Sequence, residues 1–253
     1  MNASWDPAAV PSTGASGYTG DERPAPAGGP LQVVLNTNAL QTAQLRRLQV
    51  EFAAACNLVA PIAQANRCWN RVALHHLAYR ELRARFPQLG SQMACNAVYS
   101  VARTYRVLLQ HPQSPWNLDR RPGQPLPCLR FQVGAPVYFD RHTLSLKGNL
   151  ISMFSLDGRL RFELNLKPEE AARFAGEKLR EIVLIGTGHG FLLQFWFEEK
   201  ALLPAASGEL EGELPEYLIV TPAEVPADAL TEAPVEDIAA VAASPPVAAA
   251  AVG

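Results

Sequence analysis

The hydrophobic period switches once along this chain, and that switch restricts it to a mixed fold. Apolar residues recur at helical spacing between 37 and 110, and in strand-like runs from 128 onward. One β-like run, LQVVLN (31–36), precedes the helices. Thr37 or Asn38 can cap a first helix whose inward stripe is Leu45, Leu48, Phe52, Cys56 and Val59, and Pro61 is expected to kink or end it. A second helix is expected over about 70–85, with Leu74, Leu77, Ala78 and Leu82 inward, broken by Pro87 and Gly90. Ser91 can cap a third, where Ala94, Val98, Val101, Tyr105 and Leu108 step at helical intervals. Residues 111–127 hold five prolines and read as an extended connector.

Beyond the connector, CLRFQV (128–133), VYFD (137–140), TLSLK (143–147), LISMFSL (150–156) and RLRFELNL (159–166) read as short strands, with a hairpin signal at Asp157-Gly158. PEEAARFAGEK (168–178) reads as a short helix, and REIVLIG (180–186) and FLLQFWF (191–197) as a hairpin around TGHG. The expected fold class is α+β: a β-barrel or curled sheet interrupted early by a three-helix module. Its domains are a β-body of 31–36 with 128–200 and a helical insert with connector at 37–127.

Charge divides the chain the same way. The net charge of −2 over 253 residues hides a body, 31–200, at +9 and a segment, 201–253, at −9 with no Lys or Arg. Residues 1–30, with five Pro and five Gly, read as a disordered arm. Residues 201–253 are Ala/Pro/Glu-rich with Tyr217 as the one aromatic, and read as an acidic disordered tail; Tyr217–Val220 is mildly β-prone, and no strand is expected there. No run of about 18 apolar residues marks a membrane span, and the start lacks the basic and apolar regions of a signal peptide. Cys56, Cys68, Cys95 and Cys128 form no CxxC pair, so neither a zinc ribbon nor a disulfide framework is expected. The expectation is a soluble, cytoplasmic protein with reduced thiols.

Catalytic signatures are sparse. GTGHG (186–190) is followed by a strand-like run, whereas a dinucleotide loop needs a helix N-terminus after its glycines, so it reads as a hairpin turn. His75 and His76, adjacent on a helix, point about 100° apart and cannot share an ion; His111, His142 and His189 lack ligand-spaced partners. Asp119, Asp140 and Asp157 form no convincing metal-binding constellation. No metal, cofactor or catalytic residue is expected. The cations are more informative: Arg80 and Arg83, and Arg103 and Arg106, stand three apart on helices, and Arg120, Arg121, Arg130, Arg141, Lys147, Arg159 and Arg161 lie in or beside the connector and strands. Tyr105, Trp116, Tyr138 and Phe139 are interleaved with them, Tyr138 and Phe139 being equally suited to the core. Arginines with aromatics suit phosphate contact and base stacking.

ACN (55–57), LHHLAYRELRARFPQLGSQMACNAVYSVARTYR (74–106), FDRHTLSLKG (139–148) and FSLDGRLRFEL (154–164) occur in an order that resembles the N-terminal half of TnpB, the OrfB protein of insertion sequences, and related small type V CRISPR effectors. The resemblance covers about 31–200. It implies a wedge domain, an oligonucleotide-binding-like barrel, with a helical recognition module inserted after its first strand, together gripping RNA and target DNA. After FLLQFWFEE this chain departs from the family pattern: the metal-binding acids of the RuvC-like nuclease and the zinc ribbon have no counterpart. The expectation is therefore a non-enzymatic, nuclease-less TnpB-like binder of RNA or DNA, and a transposase label would be a family name rather than an activity. Arg120, Arg121, Arg130, Arg141, Lys147, Arg159 and Arg161 are the expected phosphate contacts, extended by Arg103 and Arg106, with Trp116 stacking. A separate nuclease chain is a possible partner. The alternatives are a truncated insertion-sequence remnant and an interaction protein whose acidic tail masks the basic body.

Overall fold

The computed structural model describes residues 29–197 and 215–223. Residues 1–28 of the expected arm, and the stretches 198–214 and 224–253, lie outside the described residues.

The first strand, β1 (Leu31–Leu35), alternates buried and exposed residues. Helix α1 (Ala39–Ala65) starts at a reciprocal cap: Gln41 N–H donates to Asn38 Oδ1 (2.8 Å) and Asn38 N–H donates to Gln41 Oε1 (3.0 Å). Pro61 does not end it. The ring lies on the exposed side of the helix, where water can take the carbonyl it leaves unpaired, and the last turn continues to Ala65. Helix α2 (Arg71–Arg85) is capped by Asn70 and buries a narrow stripe of Leu74, Ala78 and Leu82. Leu77, expected inward, is 47% exposed, because it lies a rotation off that stripe. A 3-10 turn (Pro87–Leu89) leads straight into α3 (Gly90–Gln110), so Ser91 falls inside the first turn and caps nothing. The three helices close on Leu45, Leu48, Phe52, Leu74, Leu82, Val98, Tyr105 and Leu108, all essentially inaccessible to solvent.

Residues 111–127 are not extended. They fold through successive turns, with Ser114 N–H donating to His111 O (3.0 Å) and Asn117 N–H to Ser114 O (3.1 Å). The buried Asn117 side chain replaces lost backbone partners by donating to His111 O and accepting from Asp119 N–H.

The strands that follow are β2 (Cys128–Phe131), β3 (Val137–Phe139), β4 (Leu144–Lys147), β5 (Leu150–Ser155) and β6 (Gly158–Glu163); then come helix α4 (Pro168–Gly176), β7 (Leu179–Thr187), β8 (Gly190–Phe197) and β9 (Leu218–Thr221). Thr187 pairs with Gly190, so the glycine-rich run is a hairpin turn. The described strands form three antiparallel sheets, β1-β8-β7-β3, β4-β5-β6 and β2-β9, rather than one closed barrel. One cause is visible at β2: Asn57 of α1 bonds both main-chain groups of Phe131, the place a neighbouring strand would occupy. In the four-stranded sheet, Leu31, Phe195, Ile182 and Phe139 form one buried row and Val33, Leu193, Leu184 and Val137 the next. Phe174 of α4 stands edge-on to Phe195 at 5.0 Å between ring centres.

Strand β9 corrects the expectation for the acidic segment. Leu218, Ile219, Val220 and Thr221 pair antiparallel with Phe131, Arg130, Leu129 and Cys128. Ile219, Val220 and Thr221 are β-branched and favour a strand, Leu218 is buried, and β2 supplies a ready edge, so the surrounding acidic composition does not prevent pairing. Among the described residues no helix is long and apolar enough to cross a membrane. The architecture is α+β, with helices layered on antiparallel sheets.

Candidate functional site

The β4-β5-β6 sheet separates apolar and polar residues by alternation. Leu144, Met153 and Leu160 form one row of the inner face, and Leu146, Ile151 and Phe162 the next, with Met153 and Ile151 fully buried. The intervening rows therefore carry the opposite face: Ser145, Ser152 and Arg161; Lys147, Leu150 and Glu163; and Phe154 with Arg159. Lys147, Arg159 and Arg161 thus share one exposed face with two serine hydroxyls. Arg159 and Arg161 are two residues apart on β6, about 6.8 Å along the strand.

Arg159 is partly committed. Its Nε donates to Ser152 Oγ (2.9 Å), one terminal nitrogen donates to Ser152 O (2.6 Å) and the other to His142 O (3.3 Å). The last bond ties the face to the turn before β4. In that turn Asp140 Oδ1 accepts from His142 N–H (3.0 Å), Thr143 N–H (3.0 Å) and Thr143 Oγ1 (2.9 Å), and the Gln92 amide of α3 donates to the other carboxylate oxygen. Arg141 and His142 are exposed at its tip. Arg141, Lys147 and Arg161 have no ion pair or side-chain hydrogen bond among the described residues. Cations without internal partners can donate to phosphate oxygens, and serine hydroxyls beside them can do the same.

The other expected contacts are scattered or engaged. Arg103 of α3 is not a free cation: its Nε lies 3.5 Å from Glu181 Oε1 of β7, and its guanidinium stands over the Tyr138 ring at 5.8 Å. Tyr99 OH donates to the same carboxylate (2.7 Å). Burial, then the Glu181 charge and hydrogen bond, push the Tyr99 hydroxyl up to about 12. The neighbours bind Arg103 in turn: burial works to lower its pKa, but Tyr138, Glu181 and Tyr99 more than reverse that. Trp116 is half-buried against the core, Arg121 stands over its ring at 4.8 Å, and the adjoining cavity, about 10 Å³, is no larger than a single water. Arg120 and Arg106 are exposed, on the connector and on α3, and Arg130 is exposed on β2 opposite Ile219; no described contact joins them to the β4-β5-β6 face.

Arg83 also serves the fold, donating to the Pro87 carbonyl (3.2 Å) beyond the end of α2. His75 stacks on Tyr79. Cys56 is a core residue whose thiol burial pushes up to about 12, far from a nucleophile's range. All four cysteines are free, and among the described residues no group of three His, Cys, Asp or Glu is placed to hold a metal ion. Ser145, Ser152 and His142 join the arginines only through the register of β4, β5 and β6, and Gln92 braces the Asp140 turn from α3; neither relation is local in the sequence.

No protein-family model matches the chain, and no curated protein does.

Proposed function

We propose that this chain is a nuclease-less, TnpB-like nucleic-acid-binding protein of the cytoplasm, with the exposed β4-β5-β6 face and the Arg141–His142 turn as its phosphate-binding surface. The observation that carries this is the register: Lys147, Arg159 and Arg161 come from separate stretches of sequence to one sheet face with Ser145 and Ser152, beside a braced turn that presents Arg141. The order of elements, one strand, three helices and then strands, accords with a wedge carrying an inserted recognition module. In this reading the sheets are the remnant of an oligonucleotide-binding-like wedge. Contact runs through backbone phosphates rather than base stacking, with RNA, DNA or both as ligand, and cutting, where it occurs, belongs to a separate nuclease chain.

The test is fluorescence anisotropy with labelled RNA and DNA over a salt series. Binding that weakens steeply with salt is expected, by about 0.9 in log–log slope for each phosphate neutralised on duplex DNA; a flat salt response would sink the reading. Magnesium-dependent cleavage by the purified chain alone would contradict its non-enzymatic part. A second reading rests on the charge segregation of +9 and −9: the acidic 201–253 segment competes with nucleic acid for the basic body, in an interaction protein. Tighter binding after removal of acidic residues favours it.

A further inference from the structure

The β2-β9 sheet is a second outward-facing feature, and it does not depend on the nucleic-acid reading. Helix α1 braces β2 on one edge: Asn57 Nδ2 donates to Phe131 O (2.8 Å), Phe131 N–H donates to Asn57 Oδ1 (2.7 Å), and Gln64 Nε2 donates to Leu126 O (2.9 Å). None of these bonds involves β9. The other edge of β2 is therefore a preformed row of main-chain donors and acceptors, which would be unpaired without a strand beside it.

β9 fills that edge with few side-chain anchors. Of its four residues only Leu218 is buried, whereas β1, also an edge strand, buries Leu31, Val33 and Leu35. Val220 and the preceding Tyr217 are only partly buried against the core, and the main chain adds four paired positions, extended by Gln132 N–H donating to Tyr217 O (2.7 Å) and the Gln132 amide to Glu216 O (2.7 Å). Main-chain pairing plus alternate side chains seated against the core is how sheet edges take up extended peptides. A four-residue edge strand with one buried side chain belongs to the more readily opened part of a fold.

We infer that the Cys128–Phe131 edge is a strand-accepting site for a protein partner, with β9 its resident and exchangeable occupant. The partner it fits is an extended segment with an apolar residue at the Leu218 position and another at the Val220 position. Between them β9 places Ile219, 41% exposed, opposite the exposed Arg130. An acidic residue there would pair with Arg130 across the strands, so an apolar–acidic–apolar segment should outcompete β9.

The probe is a fluorescein-labelled peptide of residues 215–223, PEYLIVTPA, titrated with the full chain. Leu218→Ala in the chain loosens the resident strand and should tighten peptide binding about tenfold or more. Thr221→Cys puts a thiol opposite Cys128; oxidation should lock β9 in place and abolish binding, and reduction should restore it. A peptide with Glu at the Ile219 position should bind up to about fivefold tighter, and Arg130→Ala should erase that gain. Peptide binding that does not differ between the oxidised and reduced Thr221→Cys chains, including no binding to either, would overturn it, whether or not Leu218→Ala folds.

Discussion

Helix α3 and the β4-β5-β6 sheet both carry arginines, yet the two sets do different work. On α3, Arg103 is shared between Glu181 and Tyr138, and its side chain is 30% exposed against 14% for its carboxylate partner. On the sheet, Lys147 and Arg161 stand in solvent and make no ion pair among the described residues, Glu163 on the same face included. A cation whose charge is already answered inside the fold has little left for a ligand, and removing it mainly exposes its partner's desolvation cost. An unanswered cation costs the fold almost nothing and is available. What locates an anion surface is therefore the absence of a partner, not the density of arginine.

The largest test of that contrast is charge reversal on the sheet side. Lys147→Glu, Arg161→Glu and Arg141→Glu together should lower nucleic-acid affinity on the order of a hundredfold and reduce the salt slope by about 2.7. Thermal melting should hardly move, since surface changes stay within about 0.5 kcal/mol each. Arg103→Ala should do the opposite, with about 1–3 kcal/mol lost in denaturant melts because Glu181 loses its partner, and unchanged affinity in the folded range. Equal losses of affinity from both variants would break the distinction.

Alkali should separate the two regions without mutation. Cys56 on α1 and Tyr99 on α3 have acid groups raised from 9.0 and 10.0 to about 12. Below about pH 9 both are protonated folded and unfolded, and their contribution is whole. As pH rises toward 12 the unfolded chain ionises first, so stability must fall across that window. pH-jump melts followed by circular dichroism would show the loss. A smaller effect is expected from deleting 224–253, which removes five acids while sparing β9: affinity should rise a few-fold at low salt and less at high salt. Deleting all of 201–253 would not be a clean version, because it also strips β2 of its strand. The smallest effect is Trp116→Ala, which should leave affinity unchanged in the same titration.

What could be read in advance follows how local each determinant is. Stripes such as Ala94, Val98, Val101, Tyr105 and Leu108 are set by one helix's own period, and all five are buried. The Asp157-Gly158 turn and the hairpin around His189 likewise depend on neighbouring residues. Pairings between distant segments were not legible: β9 with β2, Asn57 standing in for a strand, and three sheets where one barrel was expected. The site divides the same way. Lys147 and Arg161 could be placed outward from strand alternation alone, but the commitment of Arg103 depends on Glu181, on a strand that pattern reading leaves unconnected to α3.

The β5-β6 hairpin sets a rule for how this protein can diverge. Gly158, with φ of +119°, pairs with Ser155, whose hydroxyl donates to the Gly158 carbonyl (2.9 Å), so the turn length is pinned. One inserted residue there would swing β6 over, driving Arg159, Arg161 and Glu163 inward and throwing Leu160 and Phe162 out. Outward-facing residues of this ribbon can be exchanged one at a time at little cost to the core; its spacing cannot.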